Sequence, residues 1–202
     1  MSSSDIEATF IQPSAADVDA ISTAATLGAA GNLTINGAAT TGGVATFDYP
    51  RNVTITSAGD DQLVTFTVTG TDETGAAQTE VITGADTDTA VGTAYFSTVT
   101  QIAASAATAG DVSAGSGSAI AAPVFRGPLR LRGIYVVNSA TAGVVTFREG
   151  SATGRIRMQY STTGEDKATE YPSIPDYGIR HDGGGYALFA QNVLNSMTLF
   201  YS

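Results

Sequence analysis

The chain has no cysteine, no tryptophan and a single histidine. Without cysteine there can be no disulfide, no thiolate nucleophile and no cysteine-bound zinc. The one histidine, His181, sits in IRHDGGGY beside Asp182 and near Asp176. A hydrolytic triad also needs a serine within reach of the imidazole and a carboxylate that orients it, and no G-x-S-x-G elbow occurs. One histidine with one aspartate is too few ligands for zinc or iron, so the stretch reads as a glycine-rich turn between strands. Acids are scattered over predicted loops with no pair set to flank a sugar, so glycosidase chemistry has no candidate. The expectation is a protein that is not an enzyme and carries no cofactor.

Charge is also scarce and unevenly placed. Only 14% of residues are charged, nine Lys and Arg against nineteen Asp and Glu, for a net charge of −10. One cation, Arg51, precedes Pro123 against thirteen acids, whereas eight cations and six acids follow it. Such a split suggests two modules facing different surroundings, because like-charged surfaces repel and a near-neutral one docks more easily. A nucleic-acid partner would call for a strongly basic module interleaved with stacking aromatics, and none is present. GSGSAI lacks the lysine and third glycine of a phosphate loop and precedes no helical pattern.

No apolar run approaches the roughly 20 residues a helix needs to cross a bilayer, so no membrane partner is expected. MSSSDIEATF has no basic region followed by an apolar core. The chain is therefore expected to be made in a cytoplasm and used without a secretory leader.

What the chain does have is glycine, alanine, threonine and β-branched residues, with little helix-forming material beyond alanine. In Arg51–Gly70, Val53 and Ile55 alternate with Thr54 and Thr56, and Val64, Phe66 and Val68 with Thr65, Thr67 and Thr69. Period-two alternation is the strand signature, and the polar turn from Ser57 to Asp61 predicts a β-hairpin between the two runs. LTINGA, ATFDY and a strand around Glu80, Val81 and Ile82 extend the series. In YFSTVTQIAAS the three-residue spacing of Phe96, Val99 and Ile102 predicts a bulge or bend between Ser97 and Thr100. Strands at about ten-residue intervals with Gly and Asp turns are the pattern of an antiparallel sandwich.

VSAGSGSAIAAP is small and uncharged and predicts a linker or exposed crossover. A second series follows. Arg130, Arg132, Ile134 and Val136 are placed on one strand face, with Leu131, Tyr135 and Val137 on the other. In RIRMQY, Ile156, Met158 and Tyr160 alternate with Arg155, Arg157 and Gln159. Tyr171 to Tyr177 contains Pro172 and Pro175 and is expected to be irregular or an edge. The apolar closing strand SMTLFYS is expected to be tucked into a sheet. Before all this, Val18, Ile21, Ala25 and Gly28 fall near helical spacing, so residues 14–28 read either as a short helix capped by Ser14 or as an extended arm.

The expected fold is therefore all-β, two small antiparallel β-sandwich or jelly-roll-like modules with an N-terminal arm. The arm covers residues 1–31, an acidic module 32–112, a linker 113–123 and a C-terminal module 124–202. At about 80 residues each module is marginal alone, so docking or oligomerisation should help it.

Two clusters of polar residues remain. Asp60–Asp61, Asp72–Glu73 and Asp86 with Asp88 could recruit calcium, but none matches the helical calcium loop, and Asp is a common turn residue. Of Arg126, Arg130, Arg132, Arg148, Arg155 and Arg157, five are assigned to a partner interface, where arginine is enriched: Arg126, Arg130, Arg132, Arg155 and Arg157.

The blocks RNVTITS, FTVTGTD and TEVITG resemble a β-domain that recurs in virion structural proteins of tailed bacteriophages. GPLRLRGIYVVNSATAGVVTFREGSATG and the closing MTLFYS are similar to small β-modules of phage structural proteins. The resemblance implies a non-enzymatic particle component, a capsid decoration or cement protein. Its partner would be the major capsid protein, its place the capsid surface of the virion, and its assembly a homotrimer. A tail, neck or head-fibre component is the alternative, and a host-glycan-binding module using Tyr171, Tyr177 and Tyr186 a second one. The resemblance transfers no catalytic or binding residue.

Overall fold

A computed structural model describes residues 6–202, and among them there are seventeen strands, one short 3-10 turn (Gln191–Val193) and no α-helix. In chain order the strands are β1 (Glu7–Ile11), β2 (Asp17–Ala25), β3 (Gly31–Asn32), β4 (Thr40–Thr41), β5 (Val44–Ser57) and β6 (Thr65–Thr71). Next come β7 (Ala77–Thr83), β8 (Thr89–Val91), β9 (Phe96–Ala104), β10 (Val112–Phe125), β11 (Leu129–Asn138) and β12 (Gly143–Glu149). The last are β13 (Ile156–Thr162), β14 (Thr169–Glu170), β15 (Ile179–His181), β16 (Gly185–Ala190) and β17 (Leu194–Tyr201). The all-β, antiparallel reading of the sequence holds. The chain divides into two compact units, one of residues 16–118 and one of residues up to 15 together with 119–202. In sequence the first is thus inserted into the second, and they are called the inserted and flanking units below.

In the inserted unit the strands run β5-β9-β6-β7, with β3 on β9, β4 and β8 on β5, and β2 on the first half of β10. Strand β6 shows the alternation expected of it: Phe66 and Val68 are buried while Thr65, Thr67 and Thr69 are half-exposed. The predicted hairpin between β5 and β6 does not form, because β9 lies between them. Strand β5 is covered on both faces, burying Arg51, Asn52 and Thr54 as well as Val53 and Ile55. Its edge is taken by β9 as far as Arg51 and by β8 from Thr54 to Thr56, so β6 finds its partners in β9 and β7.

The expected bulge is present. Thr69 pairs with Gln101 and Gly70 with Val99, which leaves Thr100 as the extra residue. That extra residue lets Val99 and Ile102, three apart, both enter the core with Phe66 and Ile55.

Residues 17–25, where a helix or arm was expected, form β2, which buries Ala20, Ile21 and Ser22 in succession and leaves Val18 exposed. The expected linker 113–123 is strand as well. Its first half pairs with β2 (Ala114 with Ser22, Ser116 with Asp17) and its second half with β16 (Ile120 with Phe189, Ala122 with Ala187). The small residues serve close packing here. A Cβ on Gly115 would collide with the Asp17 carbonyl, and one on Gly117 with the Asn52 amide. The expected module limits shift accordingly: the N-terminal stretch gives β1 to the flanking unit and β2 to the inserted one. Residues 1–5 of the expected arm lie outside the described residues.

The flanking unit contains the strand order β1-β17-β11-β14, with β15 also on β11, and the order β13-β12-β16 continuing onto the second half of β10. Leu131, Ile134, Val136, Met197 and Leu199 are buried from the first set, and Val145, Phe147, Ala187 and Ile120 from the second. The closing strand β17 is held between β1 and β11, as its apolar sequence predicts. On β11 the expected faces need correction. Leu131 pairs with Tyr201 and Gly133 with Phe200, so Arg132 sits at a bulge and Leu131 joins Ile134 and Val136 on the buried side. Residues 171–177 are irregular, as the two prolines predict.

Candidate interface at the arginine-rich end of the flanking unit

The five arginines singled out from sequence come from three separate stretches, and strand pairing brings them to one end of the flanking unit. Arg130 stands directly opposite Arg180 across β11 and β15. The Arg180 guanidinium pairs with Asp182, and Asp182 lies 3.5 Å from Arg157. Arg157 forms its closest ion pair, 2.7 Å, with Glu149 at the end of β12. The Glu149 backbone N–H donates to the carbonyl of Arg155, and its carboxylate accepts the Asp182 N–H at 2.6 Å. Arg126 follows β10 beside Gly184 in the same turn region.

These five arginines and Arg148 do four different things. Arg130 and Arg132 tie down the irregular 171–178 segment, donating to the carbonyls of Tyr177 (3.1 Å) and Asp176 (3.2 Å), and Arg132 also donates to the Ser202 hydroxyl. Arg148 donates to the Gly154 carbonyl at 2.7 Å and closes the turn between β12 and β13. Arg157 is engaged by two carboxylates. Arg126, Arg132, Arg155 and Arg180 are exposed, and since Arg132 is held by Ser202 and Asp176 and Arg180 by Asp182, Arg126 and Arg155 are the members best placed to meet a partner. Seven of the unit's eight cations lie in this region: Arg126, Arg130, Arg132, Arg148, Arg155, Arg157 and Arg180.

The electrostatics follow from those pairs. The hydrogen bond from Arg157 and the Asp182 N–H hold the Glu149 carboxyl down at about 2, and the same pair raises the Arg157 guanidinium. His181 is fully buried, with its ring edge-on to Phe125 at 5.0 Å between centroids. Burial pushes its pKa down, and the positive charge of Arg157 adds to this against the opposing pull of Glu149 and Asp182. The imidazole therefore serves as a neutral packing group beneath the charged turn, and Asp182 is drawn to arginines rather than to it. Sequence reasoning missed Arg180, Glu149 and Asp182 as the centre of this network. The one available signal was R-H-D in a glycine-rich turn, a cation and an anion on either side of the histidine.

Charge divides sharply by unit. The inserted unit has Arg51 alone against eleven acids, whereas the flanking unit has eight cations and eight acids. Arg51 is itself buried, 1% exposed, and bound through two nitrogens to Asp48 at 3.0 Å each. The acid pairs considered for calcium act within their turns. Asp72 accepts from the Thr74 N–H and hydroxyl and the Ala76 N–H, Asp60 forms a strand bridge with Asp86, and Asp61 is buried and accepts the Ala109 N–H. Among the described residues no three His, Cys, Asp or Glu side chains converge on a point, and no helix is long and apolar enough to cross a membrane.

No protein-family model, curated protein or solved structure matches the chain.

Proposed function

We propose that the chain is a non-enzymatic structural protein of a tailed-bacteriophage particle, a capsid decoration protein that clamps the major capsid protein and stabilises the shell. The observation that carries this reading is the gathering of arginines, four of them exposed (Arg126, Arg132, Arg155 and Arg180), at one end of a unit with no net charge. Arginine on a near-neutral surface is contact chemistry, since it offers five donors and a flat face to a partner. The strongly acidic inserted unit opposes non-specific association through charge repulsion. The resemblance of the Thr/Val/Gly blocks to phage virion proteins supplies the partner. A homotrimer is the assembly that suits three-fold sites of a shell lattice, and closed symmetric homo-oligomers are the norm.

Copy number in purified particles tests the reading. Decoration predicts on the order of hundreds of copies per particle, and a tail, neck or head-fibre role about a dozen, set by the closed ring at a unique vertex. Quantitative mass spectrometry of particles carrying the chain distinguishes the two, and a chain absent from all particles overturns both.

A further inference from the structure

Beyond that reading, the end of β11 away from the arginines carries a second surface of different chemistry. A cleft of about 670 Å³ opens there, lined by Gln12, Val137, Asp166, Lys167, Gln191 and Asn195 among others. Its floor is a row across the sheet: Val137 pairs with Ser196, and Gln12 follows Ile11, which pairs with Met197. Two residues back along each strand, roughly 7 Å at strand rise, the same face carries Phe10, Thr198 and Tyr135, with Phe10 paired to Thr198 and Thr198 to Tyr135. The Tyr135 ring packs against Tyr171 at 4.9 Å, and Phe10 and Tyr171 are 59% and 72% exposed.

The polar wall is fixed in place. Asn195 Nδ2 donates to the Asn138 carbonyl at 2.7 Å and to the Asp166 carboxylate at 3.2 Å. The Lys167 N–H donates to the same carbonyl at 2.9 Å, and Lys167 adopts φ +61°, one of two non-glycine residues with positive φ among those described. A left-handed lysine persists only where its surroundings over-determine it. Here the 165–168 turn sets Asp166 and Lys167 side by side in the cleft.

The chemistry of the lining selects the ligand. One carboxylate and one ammonium leave no net charge, which disfavours a phosphate or a polyanion. Two side-chain amides, from Gln12 and Gln191, can each donate and accept, Asn195 offers its amide oxygen as an acceptor while its NH2 is committed to Asn138 and Asp166, and Ser196 adds a hydroxyl. An apolar molecule would leave these groups unpaired. Hydroxyls that both donate and accept, joined to a flat apolar C–H face, match both the amides and the exposed aromatic strip. We infer that this cleft binds a neutral oligosaccharide, one residue seated among the amides and the next lying on Phe10 and the Tyr135–Tyr171 pair. The site is at the other end of β11 from the proposed shell contact, so either proposal can fail without the other.

The test is titration of the full chain with maltohexaose, cellohexaose, chitohexaose and mannohexaose, followed by backbone amide chemical shifts. At least one is expected to bind with shifts confined to the cleft and the aromatic strip. Tyr171→Ala and Gln191→Ala should each weaken that binding about tenfold, the loss of one stacking or hydrogen-bonding contact. Leu63→Ala, exposed and in the inserted unit, should leave it unchanged. No binding of any of the four sugars at about 10 mM, or binding that survives both Tyr171→Ala and Gln191→Ala, overturns the assignment.

Discussion

The inserted unit keeps its single cation, Arg51, inside, paired with Asp48, and displays a surface whose formal charge is acidic throughout. The flanking unit has equal numbers of both signs, with seven of its cations gathered among the carboxylates Glu149 and Asp182 at the start of β11 and uncharged amides beside an Asp166–Lys167 pair at its end. Both are antiparallel β, so the fold does not dictate the difference. What differs is the side chain at turns: the inserted unit uses aspartates that close their own loops, as Asp72 does, whereas the flanking unit uses arginines that reach across to neighbouring loops, as Arg130 and Arg132 do. Turns that are self-contained leave their charge to solvent, and turns braced by arginine leave cations at the surface where a partner can use them.

The largest effects should come from breaking each core separately. Phe66→Ala in the inserted unit and Phe147→Ala in the flanking unit each remove a fully buried ring and should each cost about 3–5 kcal/mol. Amide hydrogen exchange should rise in the unit that carries the change far more than in the other. Equal acceleration in both would show one cooperative unit instead of two.

Gly115→Ala comes next. Its Cβ would meet the Asp17 backbone, which cannot swing aside as a side chain can, so a loss of about 1–3 kcal/mol is expected in denaturant unfolding. A flexible linker would tolerate the change without loss.

Acid sharpens the comparison further, since only the flanking unit has a buried histidine. Burial holds the folded-state pKa of His181 below its usual value, so the unfolded chain binds the proton more readily. The stability is then complete above about pH 6.5 and declines as pH falls below it, by at most about 1.4 kcal/mol per pH unit for one proton. Glu149, held at about 2, adds a separate loss that begins near its ordinary range of about 4.5 and runs down toward 2. In His181→Leu the first decline should vanish from a urea-midpoint series against pH while the second remains.

The smallest effect on stability, below about 0.5 kcal/mol, belongs to Arg126→Glu with Arg155→Glu, because both side chains are exposed. Their effect on association should be the opposite extreme, with loss of particle binding and an unchanged β circular-dichroism spectrum.

How far the sequence could be read depended on whether an element had a wet face. Strand β6 has one, and its threonine rows announced it correctly, as did the odd spacing of Phe96, Val99 and Ile102 announce the bulge. Strand β5 is covered on both sides, so alternation revealed the strand and not its partner. Strand β10 misled for a definite reason: Gly115 and Gly117 are there because another chain segment lies against them, and close approach and flexibility favour the same small residues. Candidate helix spacing in residues 17–25 lost to the open edge of β10. The arginines were visible one by one, but their convergence depends on β11 pairing with β15 and on Glu149 reaching Asp182, registers that no local pattern encodes.

The central claim, that the flanking unit docks through its arginines while the inserted unit stays clear, is tested most directly by a residue-resolution map of a particle with the chain bound. The account predicts shell density against Arg126 and Arg155, with the turns at Asp60, Asp72 and Asp86 free of contact. Shell contact through those acidic turns, with Arg126 and Arg155 open to solvent, would contradict it.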